Sequence, residues 1–380
     1  MARTDILIYV EDPGAANFVA GLPHAIGQRG LRAQILAQGK AAEQLAALNE
    51  SFEPYPEQCD EARILDAFSP HLVVVGTSEN VDSPAFLMID GARRLGITSV
   101  GLVDGPSNAD HRFRGRSGQA LGYAPDWIIV ADETVRQKFL ALGVRRDRVL
   151  IGGHPRYDAV LAQGKIFAKF DRNQLRRRHF SGVAADRKVV IFLAELSDGV
   201  NPHLFRRTPD YTLVGRGDVD GRTEIILEEV LDALSTMEYR PYLTVRLHPK
   251  NTKAQFAVWA DEIDAFSAGG TSDDLLEMLY AADLVIGLTT VLMMEAALAG
   301  CRTLSVLPQA READWLPSIA LSLTACVCHR DALRDKLASA LYTQSWLDTK
   351  PEDAVASGAL ERVASILSGL IGDVTGDIVH

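Results

Sequence analysis

The sequence predicts an α/β protein of two doubly wound domains, each a parallel sheet covered by helices. Three observations carry this. Short apolar runs without strict alternation mark strands buried on both faces, as parallel sheets require. Longer helical patterns separate those runs, giving βα units. The series stops and restarts once, and 380 residues suffice for two cores of about 150 to 200 residues each.

In the first half, strands are expected at Ile6–Val10, Ala33–Ala37, Leu72–Gly76, Thr98–Val103, Trp127–Val130 and Val149–Ile151. Helices are expected near Ala16–Gln28, Ala41–Asn49, Ala62–Phe68, Ser83–Leu95 and Thr134–Leu142, and the domain spans 1–163. Residues 164–187, rich in Arg, Lys and Gly, form an expected interdomain linker with one short amphipathic helix. Its Arg176-Arg177-Arg178 run is either a solvated helix face or a contact for a membrane or phosphorylated acceptor.

The second domain, 188–345, is expected to hold strands at Val189–Leu193, Leu243–Leu247, Leu284–Gly287, Thr303–Val306 and Ala325–Cys328. Helices fall near Thr223–Leu234, Asp273–Tyr280, Val291–Ala299 and Asp331–Tyr342, and 346–380 is a C-terminal helical segment patterned over Asp353–Leu370. Two such Rossmann-like halves place a cleft at the C-terminal ends of their strands, where open α/β sheets bind ligands. The Glu195–Arg222 connection is about twice the length at which structureless loops become uncommon. It predicts a lid or binding loop packed in part through Phe205, Tyr211, Leu213 and Val214.

Hydrophobic residues make up 47% of the chain and charged residues 23%, which excludes wholesale disorder. A net charge of -11 argues against a nucleic-acid partner. Four cysteines (Cys59, Cys301, Cys326, Cys328) are too few and too unevenly spaced for a disulfide framework, which suits a reducing cytoplasm. Cys326-x-Cys328-His329 lacks the further ligands of a metal site and is expected to supply buried core thiols. Five apolar residues before Glu11 are too short for a signal-peptide core, and no stretch is expected to reach the roughly 18 apolar residues of a membrane span. The expectation is a cytoplasmic protein, with the inner membrane face open to it.

Candidate chemistry gathers where predicted strands end. The first strand runs into Asp12-Pro13-Gly14-Ala15-Ala16-Asn17, whose small residues allow close approach of a ligand to a helix N-terminus. A tight turn with Asn17 near the cap explains the same residues. Asp104-Gly105-Pro106-Ser107-Asn108, with Arg112 behind it, leaves a carboxylate at a strand end, either a general base or an Asx-type turn residue. Arg246-Leu-His248-Pro249 offers an imidazole for a phosphate leaving group, and an arginine that needs an anion if its sheet is buried. In Asp283–Gly300 a buried strand ends at Gly287, and Thr289 or Thr290 caps the following helix beside amides suited to phosphate. Glu295 is the lone polar residue of that helix, placed to accept ribose hydroxyls or to need a strong partner.

Asp126-Trp-Ile-Ile-Val-Ala-Asp132, Gly152-Gly-His-Pro-Arg-Tyr-Asp158, Leu247-His-Pro249 and Ala282–Gly300 together resemble GT-B glycosyltransferases over nearly the whole chain. Asp104-Gly105, His248-Pro249 and Thr289-Thr290 are similar to the acidic, H-P and S/T motifs of bacterial sialyltransferases, although Val103 stands where a second acid belongs. The H-P pair also resembles that of glycerophosphotransferases. The resemblance implies Asp104 as base, His248 as phosphate partner or acid, and Thr289 and Thr290 as phosphate binders. Beside these, Arg246, Gly287 and Glu295 are candidates for the donor side, and Asp12, Gly14, Asn17, Asn108 and Arg112 for the acceptor or cleft side. Non-hydrolysing nucleotide-sugar 2-epimerases share the Gly152–Asp158 type of segment, but Gly76-Thr77 replaces their G-D pair and no P-E-E stretch is present.

The expected activity is metal-independent transfer of a sugar from a nucleotide-sugar donor to a glycan or lipid-linked acceptor, in cell-surface polysaccharide or glycoconjugate biosynthesis. No cofactor or metal is expected beyond that substrate. The alternatives are epimerisation and a non-catalytic nucleotide-binding module. Peripheral membrane contact and homodimerisation stay open.

Overall fold

The apolar runs do form fully covered strands: every residue of β1 (Ile6–Val10) and of Leu72–Gly76 is buried. The computed structural model describes residues 4–56, 60–78, 80–197, 205–270, 272–344 and 346–376. Cys59 and residues 198–204 of the long connection lie outside them. The chain divides into one unit of Met1–Asp158 with Ala356–His380, and a second of Ala159–Val355. Residues 164–187, expected as a linker, fall within the second unit, and the expected C-terminal segment 346–380 divides between the two.

In the first unit, β1, β2 (Ala33–Ala37), β3 (Glu53–Pro54), β4 (Leu72–Gly76), β5 (Thr98–Val103), β6 (Trp127–Val130) and β7 (Val149–Ile151) form one sheet in the order β3-β2-β1-β4-β5-β6-β7. All its pairings are parallel. The order reverses between β1 and β4, where a doubly wound sheet binds ligands beyond its strand ends. The helix expected near Ala16–Gln28 is two, Pro13–Val19 and Leu22–Gly27. Gly21 breaks it by taking φ 78, a left-handed conformation open to glycine. The C-terminal helix Ala359–Gly376 buries Val363, Ala364 and Leu367 in this unit's core, so it completes the first unit. By length and composition alone, Pro351–Gly372 would suffice to cross a membrane, with mean hydropathy 1.4, contrary to expectation.

In the second unit, β8 (Val189–Leu193), β9 (Tyr242–Arg246), β10 (Ala265–Ser267), β11 (Leu284–Gly287), β12 (Thr303–Val306) and β13 (Ala325–Val327) pair in the order β10-β9-β8-β11-β12-β13. These pairings too are parallel. The reversal here lies between β8 and β11. The expected pair of doubly wound parallel-sheet domains, GT-B-like in type, is thus the fold found.

The basic segment forms the helix Arg172–His179. Two of its three consecutive arginines are spent on ion pairs, Arg176 with Asp283 at 2.7 Å and Arg178 with Glu277. The described part of the long connection is packed: Tyr211 and Leu213 join the core, while Val214 stays exposed. The amides of Val214 and Gly215 donate to Glu229, and that of Arg216 to Glu228, on the helix Arg222–Ser235. Cys326 and Cys328 are only partly buried and lie side by side, Sγ to Sγ 3.8 Å. Alternation puts both on one strand face, as expected, but that face is less covered than the core reading required.

Candidate functional site

At the strand ends of the first unit, Asp104 follows β5, and its Oδ1 lies 3.4 Å from Nη1 of Arg112. That oxygen is buried without a hydrogen-bond donor, so the carboxylate keeps an unused acceptor. Arg112 is held in place by donating from Nε to the Ser107 carbonyl. The helix Pro13–Val19 approaches so closely that a Cβ on Gly14 would sit 1.9 Å from Asp104 Oδ2, so only glycine fits beside this carboxylate. Asn108 takes φ 53 and turns the chain between Asp104 and Arg112, its carbonyl accepting from the His111 amide. Asn17 points elsewhere: its Oδ1 accepts from Gln44 on the helix Gly39–Ala47, a helix–helix contact.

Asp12 lines a polar pocket of about 380 Å³ with Glu11, Gln38, Gly39, Lys40, Ser78 and Asn80. Burial pushes the Asp12 carboxyl above the usual carboxylate range, while a hydrogen bond with Ser78 draws it back. Glu11 accepts through Oε2 from Tyr9 and Gln38, leaving Oε1 buried and unpaired. Carboxylates and short polar side chains around an open volume suit a hydroxyl-rich ligand.

His154, just beyond β7, packs against Phe18 and Tyr157 at ring-centroid distances of 4.7 and 4.6 Å. Burial lowers its pKa to about 4, against the opposing pull of Asp104. Its unfolded value lies near 6.5, so the folded state binds fewer protons wherever the unfolded imidazole is charged. Stability is therefore lost as pH falls through the window from 6.5 towards 4, by up to about 3 kcal/mol. Urea unfolding across that range should show the loss, and His154→Gln should remove this component of it.

In the second unit the decisive group is one the sequence did not flag. Glu195, two residues after β8, accepts through Oε1 from the amides of Thr289 and Thr290 at 2.7 and 2.6 Å. Its Oε2 lies 2.7 Å from Nη1 of Arg222. Arg222, 2% exposed, also donates to Glu312 and to Thr289 Oγ1. Thr290 Oγ1 caps the helix Val291–Leu298 by accepting from the Leu292 amide. The threonine turn expected to hold phosphate is thus occupied by the protein's own carboxylate, because one oxygen reaching across from β8 satisfies both amides.

Gly287 also departs from expectation. A Cβ there would meet Met293 Sδ at 2.9 Å, so its small size serves helix–strand packing rather than ligand approach. Glu295 is 7% exposed and not without a partner, so it is not the open carboxylate that a ribose-binding role asks for.

Arg246 and His248 are what remains available. Arg246, half-buried at the end of β9, has no hydrogen bond or ion pair to its guanidinium among the described residues, and burial lowers its pKa. Beside it in register, Ser267 of β10 buries an Oγ with no partner. His248 Nδ1 accepts from the Lys250 amide at 3.2 Å, so the neutral ring carries its proton on Nε2. Burial and Lys250 lower the His248 pKa, whereas Glu195 raises it.

No protein-family model matches the chain, and no curated protein matches its sequence. Solved structures do match in fold. The UDP-GlcNAc 2-epimerase of Methanocaldococcus jannaschii, in complex with UDP-GlcNAc and UDP, is 14% identical with a TM-score of 0.68, covering 96% of this chain and 100% of its own. That of Neisseria meningitidis, bound to UDP-GlcNAc, is 12% identical with a TM-score of 0.65, covering 97% and 100%. A glycosyltransferase from Rickettsia africae is 11% identical with a TM-score of 0.56, covering 98% and 94%. At these identities the likeness is one of fold, and it spans nearly the whole chain.

Proposed function

We propose that the protein is a glycosyltransferase acting on a nucleotide-linked sugar. The observation that carries this is Arg246, a half-buried guanidinium at a strand end with no protein anion beside it. A buried cation without a partner is costly, and a ligand phosphate relieves it. The Nε2–H of His248 donates to the same phosphate. As the glycosidic bond breaks, its electron pair leaves on the phosphate oxygen, where Arg246 and His248 stabilise the growing charge.

On the first unit, Asp104 takes the proton of an acceptor hydroxyl as that oxygen bonds the anomeric carbon. Its unused Oδ1 and the neighbouring Arg112 support this role. The pocket lined by Asp12, Ser78 and Asn80 supports a hydroxyl-rich acceptor such as a glycan. The amides of Thr289 and Thr290 have no part in the reading, since Glu195 holds them.

A second reading, nucleotide-sugar 2-epimerisation, is favoured by the fold match to two epimerases solved with UDP-GlcNAc. One experiment separates them. Donor sugar nucleotides are incubated in deuterium oxide, with and without a glycan acceptor panel, and followed by NMR. Transfer predicts acceptor-dependent turnover without deuterium at C2. Deuterium at C2 in the absence of acceptor means epimerisation.

A further inference from the structure

We infer that Glu195 is a specificity-determining residue that limits the second unit to ligands carrying one phosphate charge. The inference rests on the nucleotide-sugar reading and concerns the count of phosphates, not the base or the sugar. An anion at this sheet edge has two places to go: the amide pair at 289–290, or the Arg246 side of β9. Glu195 fills the first through hydrogen bonds of 2.7 and 2.6 Å.

Glu195 is not loosely placed there. Its second oxygen is tied to Arg222, whose side chain is 3% exposed and is in turn tied to Glu312, 2% exposed. Arg222 donates from Nε, Nη1 and Nη2 to protein acceptors, so it has little left to offer a ligand. A phosphate entering at the turn would have to displace a carboxylate held by two amides and a buried guanidinium.

The second place is prepared for one anion. Arg246 supplies one unpaired positive charge, Ser267 Oγ one unpaired hydroxyl, and His248 Nε2 one further donor. Arg222, the cation tied to the threonine turn, is already shared between Glu195 and Glu312. A second phosphate on the turn side would face the Glu195 carboxylate, whose own cation is already engaged, and like charges so close in a partly buried site repel strongly.

The test uses the intact chain and eight probes: the methyl esters of the 5′-monophosphates and of the 5′-diphosphates of cytidine, uridine, guanosine and adenosine. These isolate phosphate charge, since each pair shares a nucleoside and carries a methyl group in place of the transferable sugar. Calorimetric titration should find the monophosphate ester of the preferred base bound about tenfold more tightly than its diphosphate partner. Glu195→Gln should close that gap by tightening the diphosphate ester alone. Equal or tighter binding of the diphosphate ester by the unmodified protein overturns the inference and leaves the nucleotide-sugar reading standing. Binding of none of the eight sinks that reading and the inference with it. If the variant does not fold, the comparison on the unmodified protein decides alone.

Discussion

Replacing Arg222 by leucine is expected to destabilise the second unit by about 3 to 5 kcal/mol, the usual result of removing one partner from a buried ion pair. The guanidinium sits between Glu195 and Glu312, with side chains 14% and 2% exposed. Glu312 suffers most: burial already raises its pKa, and Arg222 is the chief influence lowering it. Without the arginine its carboxylate would be buried and uncompensated, and it would take up a proton on folding. A carboxyl whose folded pKa exceeds its unfolded one gains stability as pH falls. The gap between variant and unmodified protein should therefore narrow on acidification. Combining Arg222→Leu with Glu312→Leu should recover much of the loss, because apolar groups of similar volume replace such pairs at little cost. Urea unfolding of both variants at two pH values gives the numbers, and a single variant as stable as the parent would mean the network contributes nothing.

That network also shows where the sequence stops being informative. Strands such as Leu72–Gly76 are legible because burial on both faces demands an unbroken apolar run. Glu53–Pro54 and Ala265–Ser267 escape notice because they are short edge strands, the first exposed and the second half-buried, so no such run is required of them. The strand ends bearing Asp104, Arg246 and His248 could be read from the turn and proline that follow them. Glu195, Arg222, Thr289 and Glu312 could not be joined, since 27 to 94 residues separate the hydrogen-bonded members and only the sheet order brings β8 beside β11. The one local signal was a glutamate directly behind a buried strand, a position where a charge needs a partner. Glu295 sent the same signal from its apolar helix, and the protein answered it internally.

Changing Asp104 to asparagine should lower the turnover number for transfer by about two to four orders of magnitude, the usual contribution of a positioned general base. The substitution keeps the shape beside Gly14, where the geometry leaves no spare volume. It replaces an oxygen acceptor by an amide that cannot take the acceptor's proton. Donor binding should be unchanged, because the groups assigned to the phosphate, Arg246 and His248, lie on the second unit. Arg246→Gln should raise KM for the donor as well as lower the turnover number, whereas Asp104→Asn leaves donor binding alone, and a base and a phosphate ligand are told apart by that contrast. Arg112→Lys adds a further check. The ion pair at 3.4 Å orients the Asp104 carboxylate, so a lysine there should cost activity while leaving the base in place. Added formate or acetate that restores turnover to Asp104→Gly, which vacates the carboxylate's place, but not to Arg112→Lys would separate proton transfer from orientation. Full transfer activity in Asp104→Asn would remove this carboxylate from the chemistry and leave it a turn residue behind β5.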